Sequence, residues 1–404
     1  MAAESERTSW VGLLVLFSVA SLIEATYYGQ ISAFTPLHLP NLGVAPAQVP
    51  AWTGRVTALA GLVGIPLLPL WGALADRFSR QPVIVRSFAV HLLSGILMLL
   101  AGNLWVFAMG RALTGFALGN SGLMMTTLSE RAPRARTGFA LAIMNSAAPI
   151  GAFAGPLFGG PAVDRWGFPT LLAADAGLML VVIVALSVGY RDTFRAAQRK
   201  PILRMALESV GIVIRSALLR SLFAALFLLF AGWMLVMTYV PLVVTGIYRG
   251  SNPATVVGLV LGLGGLSALV VGPLMGALAD RLGHWQVLFY GAALSTVLWP
   301  VPMFTTGIVA FAMTWGIVNG ISSGVFAVSF VVLSESSPQA VRGRVMSFAY
   351  LPVNLGIFVG PAIGSALSRM NVKLVFPTAA VLTGIGILVL IGTARLGRER
   401  LPSS

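Results

Sequence analysis

Gly72-Ala73-Leu74-Ala75-Asp76-Arg77-Phe78-Ser79-Arg80 decides how this chain is read. Its first six letters return as Gly276-Ala277-Leu278-Ala279-Asp280-Arg281, at an offset of 204. Each copy directly follows an apolar run long enough to cross a bilayer. A short glycine and acid–base turn at a membrane surface, present once per half, is the mark of a duplicated membrane protein.

Composition agrees. Hydrophobic residues make up 57% of the 404 positions and charged residues 9%, against roughly 25% charged in a soluble domain. Such a chain cannot cover a globular surface with polar groups and must be embedded in lipid. Forty-five glycines and 23 prolines suit packed membrane helices, where small residues let backbones approach and neighbours satisfy broken hydrogen bonds. The absence of cysteine excludes disulfides and thiolate metal sites.

Apolar runs place a first, retained helix at 10–33 and further spans near 52–72, 82–101, 104–128, 137–160 and 168–190. Ser18-Val19-Ala20 resembles a cleavage site, but the apolar run continues past it, so no leader is expected. A polar, basic stretch, Arg191 to Arg220, follows. Six more spans lie near 221–247, 254–277, 285–304, 307–334, 342–366 and 373–394. The expected fold is an all-α membrane protein of twelve spans. It divides into six-helix halves, 1–190 and 221–404, joined by a linker at 191–220.

With twelve spans both termini share one side. Of the 26 Lys and Arg residues, Arg165, Arg249, Arg369 and Lys373 fall in the opposite loops, and Arg55 and Arg111 within or at the edge of spans. The remaining twenty lie on the side of the termini, which the positive-inside tendency makes cytoplasmic. Because the net charge of +14 is spread over short loops, a nucleic-acid partner is excluded. The repeat also reaches deeper. Ser129-Glu130 and Pro133 recur as Ser334-Glu335 and Pro338, Gly138 and Gly151 as Gly343 and Gly356, and Gly155-Pro156 as Gly360-Pro361, all at an offset of 205.

These residues resemble the major facilitator superfamily. Gly72-x3-Asp76-Arg77-x2-Arg80 is similar to its signature loop between helices 2 and 3, and Gly276-x3-Asp280-Arg281 to the weaker echo between helices 8 and 9. Ser79 stands where a glycine is usual, and the second copy lacks the later basic residue. The resemblance implies a conformational latch made by Gly72, Asp76, Arg77, Arg80, Arg131, Asp280 and Arg281; a static helix cap is the plainer alternative. Gly151-x3-Gly155-Pro156-x2-Gly159-Gly160 in helix 5 resembles the pattern that marks the drug–proton antiporters of this superfamily, and so implies export. Its packing chemistry alone, a flat glycine face with a loosened ladder, gives no direction of transport.

Arg111-x3-Gly115-x3-Gly119 puts a cation inside helix 4, where its counterpart at 316 is glycine. A charge in a membrane span marks function unless it merely ties helices together. Two acids within spans are available to pair with it, Glu24 in helix 1 and Asp175 in helix 6. At 1.5 Å per residue, Arg111 and Asp175 lie roughly 10 Å and Glu24 about 15 Å from the outer ends. Arg111 resembles the helix 4 arginine that is linked to proton handling in the drug–proton antiporters, and an acid in low dielectric near a cation can load and unload a proton. Glu24, Arg111 and Asp175 are therefore the expected proton-coupling residues, with Glu24 as the principal site. Helical phase gives a substrate cavity lined by Tyr27, Tyr28, Asn145, Trp233, Met237, Asn319, Ser323 and Phe326, with Ile31 and Ser322 on the same faces. Any one of these is equally a packing residue. His38, His91 and His284 suggest no metal site, and no nucleotide-binding loop is present.

The reading is a secondary transporter of the inner membrane, not an enzyme. It requires no cofactor and works as a monomer with a small-molecule substrate, protons and the lipid bilayer as partners. Efflux of apolar or cationic molecules comes first. A metabolite, sugar or siderophore exporter, or a proton-coupled importer, is the alternative, and a sensor or membrane enzyme lacks a supporting motif. Asp76→Asn is expected to abolish transport at unchanged protein abundance. Full transport by that variant ends the latch.

Overall fold

The computed structural model describes residues 9–67, 79–117, 119–192, 211, 213–339, 345–346 and 348–398. Gly72, Asp76, Arg77, Gly343 and most of the 191–220 linker lie outside them. Among the described residues the chain is helical, with short 3-10 turns at the helix ends. Nine helices are long and apolar enough to cross a membrane, and a tenth apolar helix, Leu351–Leu367, is shorter. The chain is an all-α, multi-pass membrane protein.

In order the helices are α1 (Trp10–His38), α2 (Val49–Gly64), α3 (Arg80–Leu99), α4 (Leu104–Leu113), α5 (Asn120–Arg131), α6 (Thr137–Trp166) and α7 (Phe168–Gly189). Then come α8 (Ala217–Ile247), α9 (Pro253–Leu282), α10 (His284–Leu298), α11 (Ile308–Glu335), α12 (Tyr350–Leu367) and α13 (Val375–Arg398). The expected fourth span is two helices, α4 and α5. Ser9 starts the first crossing, its hydroxyl accepting the Gly12 N–H at 3.0 Å. Outward faces stay apolar, as with Val11, Val15 and Val19 on α1 and Leu178, Val181, Val184 and Val188 on α7. In water such faces would be a liability; in lipid they are solvated.

The helices are shut together at the end of the bundle away from the termini. There α6 crosses α9 so closely that a Cβ on Gly258 would overlap the Pro156 carbonyl oxygen, and one on Gly160 would lie 2.5 Å from that of Ala254. Only glycine permits this approach. The Ser365 hydroxyl of α12 donates to the Ala51 carbonyl of α2 at 2.8 Å, and the Tyr239 hydroxyl of α8 to that of Pro361 at 3.2 Å. Asp164, near the end of α6, caps α9 from outside. Its carboxylate accepts the N–H groups of Ala254 and Thr255 at 3.0 and 2.7 Å and the Thr255 hydroxyl at 2.6 Å. Those amides belong to the first turn of α9, which has no intrahelical acceptor for them and carries the positive pole of the helix.

Among the described residues, the contacts of this closure do not continue towards the termini. One apolar core joins α1, α3, α6 and α7 to the far-end residues of α8, α9, α11 and α13. A separate cluster of Leu219, Leu222, Leu226, Ala279, Val287, Leu288, Val328, Val332 and Leu390 holds together the terminal ends of α8, α9, α10, α11 and α13. Among the described residues, a Cβ on Gly272 or Gly276 of α9, or on Gly138 of α6, would meet nothing within 4 Å.

Replacing Asp164 with alanine is expected to weaken the far-end closure by roughly 0.5–2 kcal/mol, the usual worth of a helix cap. Spin labels on Gln48→Cys and Ser251→Cys in this cysteine-free chain should then show a larger share of long distances than with Asp164 intact. An unchanged distance distribution would contradict the assignment.

Candidate functional site

The break in the fourth crossing builds the site. α4 starts at Asn103, whose side-chain oxygen accepts the N–H groups of Trp105 and Val106 at 3.0 and 3.1 Å. After Leu113 it tightens into a 3-10 turn, Thr114–Ala117. Gly119 then turns left-handed, with φ 104°, a conformation costly for any residue with a Cβ. The helix restarts as α5 at Asn120. Irregular backbone at membrane depth is tolerated only where protein buries it or it lines a cavity, and Asn120 is 3% exposed.

This placement aims Asn120 at α1. Its Nδ2 donates to Glu24 Oε2 at 2.7 Å, while His91 Nε2 of α3 lies 3.0 Å from Oε1. Glu24 thus ties α1 to α3 and α5. Around His91 the rings of Tyr27 and Tyr28 stand edge-on, with centroids 5.5 and 5.0 Å away. The Tyr27 hydroxyl donates to the Ser94 hydroxyl at 3.2 Å, and Ser94 donates to the Gly110 carbonyl at 2.7 Å.

The expected partnership of Arg111 with Glu24 or Asp175 does not form. Arg111 is buried on α4 within electrostatic reach of Tyr27 and Tyr28, and its Nε and Nη1 have no hydrogen-bond partner among the described residues. Glu24 is already held by α3 and α5. Asp175, buried on α7, faces Gln30, whose amide nitrogen is assigned towards it and donates to the two carboxylate oxygens at 2.6 and 2.8 Å. A neutral amide thus takes the place foreseen for the arginine.

The cavity residues divide in two. Tyr27 and Ile31 are buried against neighbouring helices and line no open surface, whereas Asn145 is exposed. On the other side, Trp233 donates its indole N–H to Asn319 Oδ1 at 2.8 Å, and Asn319 Nδ2 donates to the Gly264 carbonyl at 2.8 Å. This polar chain fixes an aromatic cluster. Phe230 and Phe326 lie 4.8 Å apart, Trp233 and Phe326 5.7 Å, and Phe326 and Phe330 5.0 Å. Met237 and Ser323, half-buried, sit one turn along from Trp233 and Asn319.

In the helix 5 motif, now α6, Gly151 and Gly155 pack on the Leu22 and Thr26 carbonyls of α1, Gly159 on Phe34, and Gly160 on α9. Pro156 offers its carbonyl to the same crossing. Among the residues expected to form a latch, Arg80 makes a forked pair with Glu130 at 2.6 and 2.9 Å; beside it the Ser79 hydroxyl donates to Asp192 at 2.9 Å. Arg131 ends α5 beside it. In the second copy His284 spans Asp280 and Glu335 at 3.2 and 3.1 Å, with Arg281 exposed in the last turn of α9. His91, Asn120, Gln30, Glu130, Asp164 and Asp192 were not among the expected site residues. For Asn120 a signal existed, since a Gly-Asn pair interrupting an apolar run marks a helix restart.

A family model described as Major Facilitator Superfamily matches residues 13–321 and 251–403. The chain is similar to multidrug resistance protein MdtG of Citrobacter koseri, 27% identical over 378 residues and 91% of each chain. It is also similar to the protein of that name in Enterobacter lignolyticus, 26% identical over 415 residues, 100% of this chain and 97% of that one. Among solved structures, the D-xylose-proton symporter superposes with a TM-score of 0.77 at 16% identity, over 94% of this chain and 97% of that one. The nucleoside transporter NupG gives 0.76 at 14% identity, over 95% and 99%. At such identities these two speak for the fold alone.

Gly119→Ala is expected to cost about 1 kcal/mol through its left-handed backbone and to draw Asn120 away from Glu24. Transport per folded molecule, measured against the amount of purified protein, should fall more than thermal stability does. Equal losses in both would reduce the break to a packing feature.

Proposed function

We propose that this chain, which belongs to the Major Facilitator Superfamily, exports apolar or cationic small molecules in exchange for protons by alternating access. The family is one of membrane transporters, so the chain is a transporter and not an enzyme. The observation that carries the coupling is Glu24, a buried carboxylate in a membrane helix with partners from two other helices. Ionisable groups at such depth are costly and mark ion pathways. Export as the direction is supported by the name carried by the relatives and by the antiporter-like glycine motif of α6.

In this reading the halves 1–190 and 221–404 move against each other about the linker 191–220. The terminal face is cytoplasmic in the inner membrane, which the twenty basic residues on that side favour. The closed far end then faces outward, and the bundle stands open to the cytoplasm. One chain contains both sides of the cleft, so a monomer suffices. The proton is exchanged at the site built around Glu24, Asp175 assists, and Arg111 biases both through its buried charge. Trp233, Phe326 and Met237 supply the adaptable aromatic and thioether surface that varied apolar cations need. The loop at Gly72, Asp76 and Arg77, together with Arg80 and Arg131, latches the terminal face, with Asp280 and Arg281 as the second, weaker catch.

In cells lacking other pumps, expression should lower ethidium accumulation. A protonophore should abolish the effect, and Glu24→Gln should return accumulation to that of empty cells. Wild-type, protonophore-sensitive export by Glu24→Gln removes Glu24 from the coupling. No effect with any dye turns the reading towards a metabolite substrate.

A further inference from the structure

His91 is fully buried and touches Glu24 through one nitrogen only. Nε2 lies 3.0 Å from Oε1, while Nδ1 is buried with no hydrogen-bond partner among the described residues. A carboxylate cannot donate unless protonated, so the nitrogen facing it carries the hydrogen and the free one carries the lone pair. The other Glu24 oxygen, Oε2, accepts from Asn120 at 2.7 Å. A proton added at Nδ1 leaves both of those bonds in place.

We infer that His91 is the second member of the proton-coupling site, and that the exchanged proton enters and leaves at its Nδ1. The inference rests on the proton-coupled reading above. In the unloaded site, ionised Glu24 and neutral His91 carry a net charge of −1. Loading adds one proton to the Nδ1 lone pair and gives a carboxylate–imidazolium pair of net zero; unloading returns that proton to water. No other bond forms or breaks. A cation approaching the site meets a negative charge only when Nδ1 is empty, so proton and cationic substrate compete for one charge.

The groups that face or bracket the pair are few. α1 contributes Glu24, Tyr27 and Tyr28, and α3 contributes Phe88 and Ser94. Asn120 comes from α5. Arg111 on α4 adds a fixed positive charge within reach of the two tyrosines, and Asp175 on α7 is engaged by Gln30. Within this set His91 contributes a buried basic ring nitrogen with no hydrogen-bond partner among the described residues. Imidazole also changes charge in the range where cells work.

Two measurements test this on the full chain. In lipid nanodiscs, a His38→Gln, His284→Gln variant carries His91 as its one nitrogen-15-labelled histidine. The Nδ1 resonance should move from an imidazole to an imidazolium shift as the pH is lowered, and its response should differ in Glu24→Gln. A resonance that stays constant overturns the inference. In weakly buffered detergent, tetraphenylphosphonium should expel protons from the wild type. His91→Gln, which keeps a donor for Glu24, should bind the cation within about threefold of wild type yet release less than about a third of the protons, since a group that cannot titrate has none to give. Wild-type release by His91→Gln overturns the inference while leaving Glu24 as the site. Wild-type release by Glu24→Gln removes the underlying reading as well.

Discussion

The carboxylate of Glu24, which accepts from His91 on one oxygen and from Asn120 on the other, is the constraint to which this half of the structure conforms. In hydrocarbon an ionised group without partners is untenable, so its neighbours must be brought to it. α3 supplies an imidazole. α5 can supply an amide only because the fourth crossing stops, turns through Gly119 and starts again. The break is therefore a consequence of the charge as much as a feature of the helix. Tyr27, Ser94 and the Gly110 carbonyl extend the same network to α4, which holds the two pieces of that crossing in register.

Close backbone packing forms the second layer. Lipid tails are as apolar as leucine, so helices in a bilayer gain little by hiding leucine from them. What they gain instead is contact, and α6 takes it on two sides. Gly151 and Gly155 lie on α1 while Gly160 meets α9, so one helix both steadies the charged site and forms the far-end closure. The split of the apolar core into a shared part and a separate terminal cluster follows from that arrangement.

Much of this was legible beforehand. Twelve crossings follow from hydropathy, and Glu24, Arg111 and Asp175 stand out because ionisable residues inside spans are rare. Their partners were not legible. His91 and Asn120 lie 67 and 96 positions from Glu24, and no helical period links residues on different helices. His91, read alone, is one histidine on an apolar helix. Arg111 was matched to the acids by depth, but depth says nothing about rotation around the helix axis, and the acids turned to other partners. Asp164 was passed over because it sits where a crossing ends, and only the fold brings the start of α9 against it. The glycine run of α6 had the opposite fate, since flat packing was read from spacing and the structure adds only which helix each glycine meets.

The Asp164 cap has a consequence for the energetics of switching. When the far end opens, the first-turn amides of α9 exchange a carboxylate for water, and the difference is the worth of one cap, roughly 0.5–2 kcal/mol. One elementary charge moving through a potential of about 100 mV releases about 2.3 kcal/mol. A seal of that size is strong enough to favour one resting shape in the absence of a gradient. It is also weak enough for a single ion's passage across an energised membrane to reverse the preference.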